Sequence, residues 1–115
     1  VNQLQNTGSC KKCDLENADL SGVDLSNATL EKAVMNGINL SGADLFGAFL
    51  NDANLTGANF TNAFLNGSDL TDADLSSANL SGATLHGAVV SGASFSGATF
   101  CNTITSDGVT VSSGC

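Results

Sequence analysis

The chain has 115 residues with no Pro, Trp or Tyr, 42% of them apolar and only 12% charged. Eleven Asp and Glu oppose three lysines, Lys11, Lys12 and Lys32, for a formal net charge of −8. This composition predicts one small folded domain and excludes both disorder and a phosphate-backbone surface, which would need cations to displace counterions.

The chain opens on Val1 with no recognisable leader, as a cut boundary or a processed mature chain would. Residues 1–12 precede the regular part of the sequence. Leu4 is the one large apolar residue of the first nine, which fits a short helical turn. Cys10-Lys11-Lys12-Cys13 has C-x-x-C spacing, open to a redox pair, half a zinc site or a structural bridge. No second half of a zinc site follows, so a structural bridge is favoured. With Cys101 and Cys115 the cysteines number four, near the two ends. That fits two disulfides in an oxidising compartment, against the alternative of four reduced thiols in a cytosolic protein.

From residue 15 to residue 100 every fifth position is apolar: the fifteen from Leu15 to Leu85 are all Leu, Phe or Met, and Val90, Phe95 and Phe100 close the column. Random placement at this composition would succeed with a probability on the order of one in ten million. Two positions earlier runs a second column that holds every alanine in the chain, broken only by Cys13, Val23, Ile38 and Ser68. A helix advances 100° per residue and would scatter residues five apart round its whole surface. A flat strand would turn them to alternate faces. A solenoid fits, in which each five-residue unit forms one short side and then a corner, sending one large and one small side chain inward. Gly or Asn commonly stands two places after the large residue, as at Gly22, Asn27, Gly37 and Asn62, where a corner needs backbone freedom.

Units such as Ala18-Asp19-Leu20-Ser21-Gly22, Ala43-Asp44-Leu45-Phe46-Gly47 and Ala58-Asn59-Phe60-Thr61-Asn62 resemble the pentapeptide-repeat family, with its A(D/N)LXX signature. The resemblance covers residues 13–102. It implies a mainly β fold, a right-handed quadrilateral β-helix of about four and a half coils, each of about twenty residues, and roughly 22 Å long at the usual strand spacing. The expected division is an N-terminal cap at 1–12, the β-helix at 13–102 and a C-terminal cap or tail at 103–115.

A filled interior leaves function to the outer wall. No catalytic, cofactor or metal site is expected: His86 is the only histidine, and no Ser or Cys stands with it in a nucleophilic constellation. Residues 75–106 carry no Asp, Glu, Lys or Arg, but Ser, Thr, Asn and Gly interrupt them too often for the run of about 20 apolar residues that a membrane span requires. Some pentapeptide-repeat proteins act as DNA mimics that bind type II topoisomerases, and the resemblance offers this as an alternative. A 22 Å mimic would want about thirteen charges, whereas −8 is spread here over four faces. Outward rows such as Ser21, Ser41, Thr61 and Ser81 read as solvation of a flat sheet, too irregular for lattice or sugar recognition.

The fivefold phase places Phe46, Phe49 and Phe64 outside the core. Phe46 and Phe64 share a face on adjacent coils and Phe49 lies just round the corner, a candidate contact patch. Beyond Phe100 the column breaks, and Ile104, Val109 and Val111 flank Ser106-Asp107-Gly108, a hairpin signal. Such a hairpin would fold back over the last coil, with Cys101 and Cys115 clipping it down. The resulting expectation is a non-enzymatic structural or protein-binding solenoid with an unidentified protein partner, no cofactor, no nucleic acid and no membrane insertion. It resembles the short, cysteine-bearing family members exported to the thylakoid lumen or periplasm.

Overall fold

The computed structural model describes Leu4, residues 7–113 and Cys115. Four series of single-residue parallel pairings join residues 20 apart: Asp14 to Val34 to Asn54 to Asp74 to Ser94, Asp19 through Asn39, Asn59 and Asn79 to Thr99, Asp24 through Asp44, Phe64 and Thr84 to Ile104, and Ser9 through Thr29, Phe49 and Asp69 to Val89. A chain that repeatedly pairs with itself twenty residues on is a β-helical solenoid, which spans 35 × 26 × 23 Å.

The backbone hydrogen bonds explain why five residues suffice for one unit. The large inward residue donates its N–H forward to the next coil, as Leu15 does to the Val34 carbonyl at 2.7 Å, and the residue before it donates back to the previous one, as Val34 does to Cys13 at 2.8 Å. The residue two places on donates forward again, as Asn17 does to Asn36 at 3.0 Å. A tight turn then closes, Ala18 donating to the Leu15 carbonyl at 3.1 Å. Its third residue has the positive φ that a type II turn requires, and all nineteen such positions from Lys12 to Asn102 have φ between 56° and 78°. Gly and Asn hold most of these corners, as the sequence indicates. Lys12, Lys32, Asp52, Asp72 and Ser77 hold the others.

Inside, the large column from Leu15 to Leu85 is 0–4% exposed. Ala28 through Ala88 fill the small column beside it, with Ile38 and Ser68 taking two of its places. The Ser68 hydroxyl disposes of its polarity locally by donating to the Leu65 carbonyl at 2.7 Å. The last three large residues, Val90, Phe95 and Phe100, are only half-buried because no complete coil lies above them.

The coil register runs further than the apolar column at both ends. Cys10 occupies a large inward position, 1% exposed, and donates to Thr29, while Ser9 pairs with Thr29. At the other end Gly87 donates to the Ser106 carbonyl at 3.0 Å, so the chain follows the coil path as far as Ser106. There Thr103 takes an alanine-column place, wholly buried, and its hydroxyl donates to the Leu80 carbonyl at 2.6 Å. Strand β1 (Phe100–Ile104) pairs antiparallel with β2 (Thr110–Ser113) across the Asp107–Gly108 turn, the hairpin that the sequence signals. Disulfides join Cys10 to Cys13 and Cys101 to Cys115. Of the N-terminal helical turn expected over residues 1–9, residues 1–3, 5 and 6 lie outside the described residues. Leu4 is 1% exposed, and its carbonyl accepts the Gly8 N–H at 2.7 Å, a helical spacing. Among the described residues no helix is long and apolar enough to cross a membrane.

Candidate interaction surface

The outer wall is decided by the residue just before each large inward one. One backbone N–H per unit, that of the residue after the large one, has no carbonyl assigned to it by the coil pattern. Asp or Asn supplies the acceptor: Asp19 Oδ1 takes the Ser21 N–H at 3.1 Å and its hydroxyl at 2.7 Å, and Asn59 Oδ1 takes the Thr61 N–H at 3.0 Å and its hydroxyl at 2.6 Å. The same Asx turn recurs at Asp14, Asp24, Asn39, Asp44, Asn54, Asp69, Asp74 and Asn79. The hydroxyl bonds from Ser21, Ser26 and Ser76, followed by the N–H bonds of those same residues, hold the carboxyls of Asp19, Asp24 and Asp74 below their ordinary value. Asp107 is lowered likewise, first by the Thr105 hydroxyl and then by the Val109 N–H. Of the eleven acidic residues, six within the repeats therefore serve their own turns through one carboxylate oxygen. The hydroxyls of Ser21, Thr61 and Ser81 point into these turns too, which is the role their rows play.

Val34, Phe49, Phe64 and Val89 occupy the same position but have no acceptor to offer, and their side chains stand outward, 39–52% exposed. Phe46, at a turn, is 58% exposed. Phe64 pairs across the coils with Asp44, two residues before Phe46, and Phe49 pairs with Asp69 in the adjoining series. The three phenylalanines thus occupy neighbouring positions on two adjacent coils, with carboxylates directly beside two of them. Among the described residues the paired rings are Phe95 and Phe100, with centroids 5.6 Å apart; Phe46, Phe49 and Phe64 stand singly. Val34 and Val89 extend the apolar exposure and were missed by sequence reasoning. The signal that finds them is a β-branched residue where the repeat places Asp or Asn.

The other sequence candidates lie elsewhere. Cys10 and Cys13 close the first turn, both directed toward the core, with Lys11 outside them 3.5 Å from Glu31. Cys101 and Cys115 tie the tail to β1. His86 is exposed, its ring against the Gly108 turn. Among the described residues no three His, Cys, Asp or Glu side chains are grouped to hold a metal ion.

Comparison with known proteins accords with this geometry. The family model described as pentapeptide repeats matches residues 9–47, 38–76 and 68–104, eight copies in all. A solved pentapeptide repeat protein of the Arabidopsis thaliana thylakoid lumen superimposes with a TM-score of 0.77 at 33% identity, covering 88% of this chain and 68% of its own. A second, Rfr23 of the cyanobacterium Cyanothece 51142, shares the fold with a TM-score of 0.51 at 24% identity, over 90% of this chain and 95% of its own. QnrB1, a plasmid-mediated fluoroquinolone resistance protein, gives 0.50 at 22% identity, over 83% of this chain and 61% of its own. No curated protein matches the sequence. With a family model spread over residues 9–104 and a 33% identical solved relative, this right-handed β-helical chain belongs to the pentapeptide-repeat family.

Proposed function

We propose that the chain is a non-enzymatic solenoid that binds a protein partner through the outer surface bearing Phe46, Phe49 and Phe64. The observation that carries this reading is three phenylalanines, each 44–58% exposed, at neighbouring positions on a surface whose other residues are mostly short and polar. Large aromatics left in water on a small domain are the residues that anchor protein contacts. The interior from Leu15 to Leu85 is filled, which supports the same reading, since those coils leave chemistry no internal site. Within it the solenoid is four-sided with about four and a half coils, supported by four pairing series at twenty-residue spacing. Two disulfides, and a relative from the thylakoid lumen, support an exported protein of an oxidising compartment, thylakoid lumen or periplasm.

Replacing Phe46, Phe49 and Phe64 together by Ser tests the surface. The fold is expected to persist, while the set of proteins captured from the native host, or the oligomeric state, changes; unchanged behaviour in both overturns the reading. A DNA mimic that binds a type II topoisomerase has less support, because the Asx turns account for six of the acidic residues and the likeness to QnrB1 is one of fold. Inhibition of gyrase supercoiling at stoichiometric protein would reverse that order.

A further inference from the structure

At its C-terminal end the shaft is not filled. Up to Leu85 the large inward residues are at most 4% exposed, but Val90, Phe95 and Phe100 are half-buried. Thr105 stands where the fivefold column calls for the next large apolar residue, so a short polar side chain replaces a Leu or Phe at the step where the coil ends. Its hydroxyl is turned away into the hairpin, accepting no apolar role: it donates toward Asp107 and to the Val109 carbonyl at 3.1 Å. The shortfall in volume is a half-open cavity of about 180 Å³ lined by Leu85, Val90, Phe95, Phe100, Thr105 and Ser106. Two of its walls are the tilted rings of Phe95 and Phe100, 5.6 Å apart at 53°.

We propose that this cavity is a binding site for a small, uncharged apolar molecule about the size of a benzene ring. Volume and lining set that class. A cavity of about 150 Å³ bounded by Leu, Ile and Phe stays dry and takes up benzene or xenon, because water finds no hydrogen-bond partners there. This one is slightly larger and bounded mainly by the same kinds of side chain. Charge excludes the alternatives: none of the six lining residues is ionisable, so the cavity offers an anion or cation no opposite charge in exchange for the hydration it would lose. The site also has an entrance, since Val90, Phe95 and Phe100 around it are only half-buried. Nothing in this site depends on the phenylalanine surface of the middle coils.

The test titrates benzene, xenon and benzoate into the full chain with both disulfides intact, following the side-chain NMR signals of Leu85, Val90, Phe95 and Phe100 and the melting temperature. Benzene and xenon should shift those signals saturably, with a benzene Kd of about 1 mM or tighter, and raise the melting temperature. Benzoate should bind at least about tenfold more weakly. Val90→Phe, which fills the space from a half-buried position, should weaken benzene binding by at least about tenfold without lowering the melting temperature of the free protein. Thr105→Leu, which restores the missing column residue, should do the same and guards against a folding defect in the first variant. Shifts that do not saturate, shifts centred elsewhere, equal affinity for benzoate, or native affinity in both variants would each overturn the proposal.

Discussion

Asn59 shows in one residue what the A(D/N)LXX signature does. Its Oδ1 accepts both the N–H and the hydroxyl of Thr61, satisfying the one backbone donor that the coil pattern leaves over. Asn59→Ala should therefore cost about 0.5–1.5 kcal/mol in urea unfolding, whereas Asn59→Asp, which keeps the acceptor, should cost clearly less. The corners obey a second rule. At Gly82 the backbone has φ 72°, and a Cβ there would collide with the Asn62 side chain leaning up from the corner one coil below, whereas at Gly57, φ 69°, a Cβ would meet nothing within 4 Å. Gly57→Ala should cost only the left-handed backbone penalty of about 1–2 kcal/mol, and Gly82→Ala more, with about 1 kcal/mol of the excess recovered in the Asn62→Gly background. The corner positions could be read from the chain by counting, since Gly and Asn mark most of them. The contact of Asn62 with Gly82 could not, because counting stacks the two corners but does not say that the Asn62 side chain leans into the space above it.

At the scale of an element, the two disulfides close loops of very different length. Cys101–Cys115 closes a loop with a sequence separation of 14 that holds β2 against β1, while Cys10–Cys13, separation 3, closes a turn already fastened by the Cys13 N–H to Cys10 carbonyl bond. In the chain-entropy model the longer loop is worth about 3 kcal/mol and the shorter about 2 kcal/mol. Replacing Cys101 and Cys115 by Ser should lower the melting temperature more than replacing Cys10 and Cys13, and should raise hydrogen exchange first in the amides of β2. The C-terminal element was legible in part. Ser106-Asp107-Gly108 marks the hairpin, but the continuation of the coil through Thr103 to Ser106 is hidden, because Thr103 satisfies its hydroxyl at Leu80, twenty-three residues earlier, and so passes for an alanine. The first coil was hidden for a similar reason: Cys10 fills a large inward place that a list of Leu and Phe overlooks.

For the whole molecule, the Asx turns set the response to acid. Asp19, Asp24, Asp74 and Asp107 are held below the ordinary value of 3.8, first by a side-chain hydroxyl and then by a backbone N–H. The folded state therefore binds fewer protons than the unfolded one just below pH 4. The stability these groups contribute is fully present above the unfolded value and is lost as the pH falls through the lower folded values. The melting temperature should be nearly flat from about pH 7 to 5 and drop below about pH 4. In the variant with Asp19, Asp24 and Asp74 changed to Asn, which keeps the acceptors, the drop should be smaller. The shaft was legible from the sequence because one inward residue every fifth place leaves no other regular structure. The outer surface was legible only as far as Phe46, Phe49 and Phe64, since an exposed valine at 34 or 89 looks unremarkable until its Asx turn is seen to be missing. The pairing of residues 20 apart has one more consequence. Inserting a single five-residue unit would still send one large and one small side chain inward from every unit, yet carry everything downstream one step further round the axis and give the corners beside it new neighbours. Lineages of such proteins can thereby redraw their exteriors by small duplications while inheriting an untouched interior.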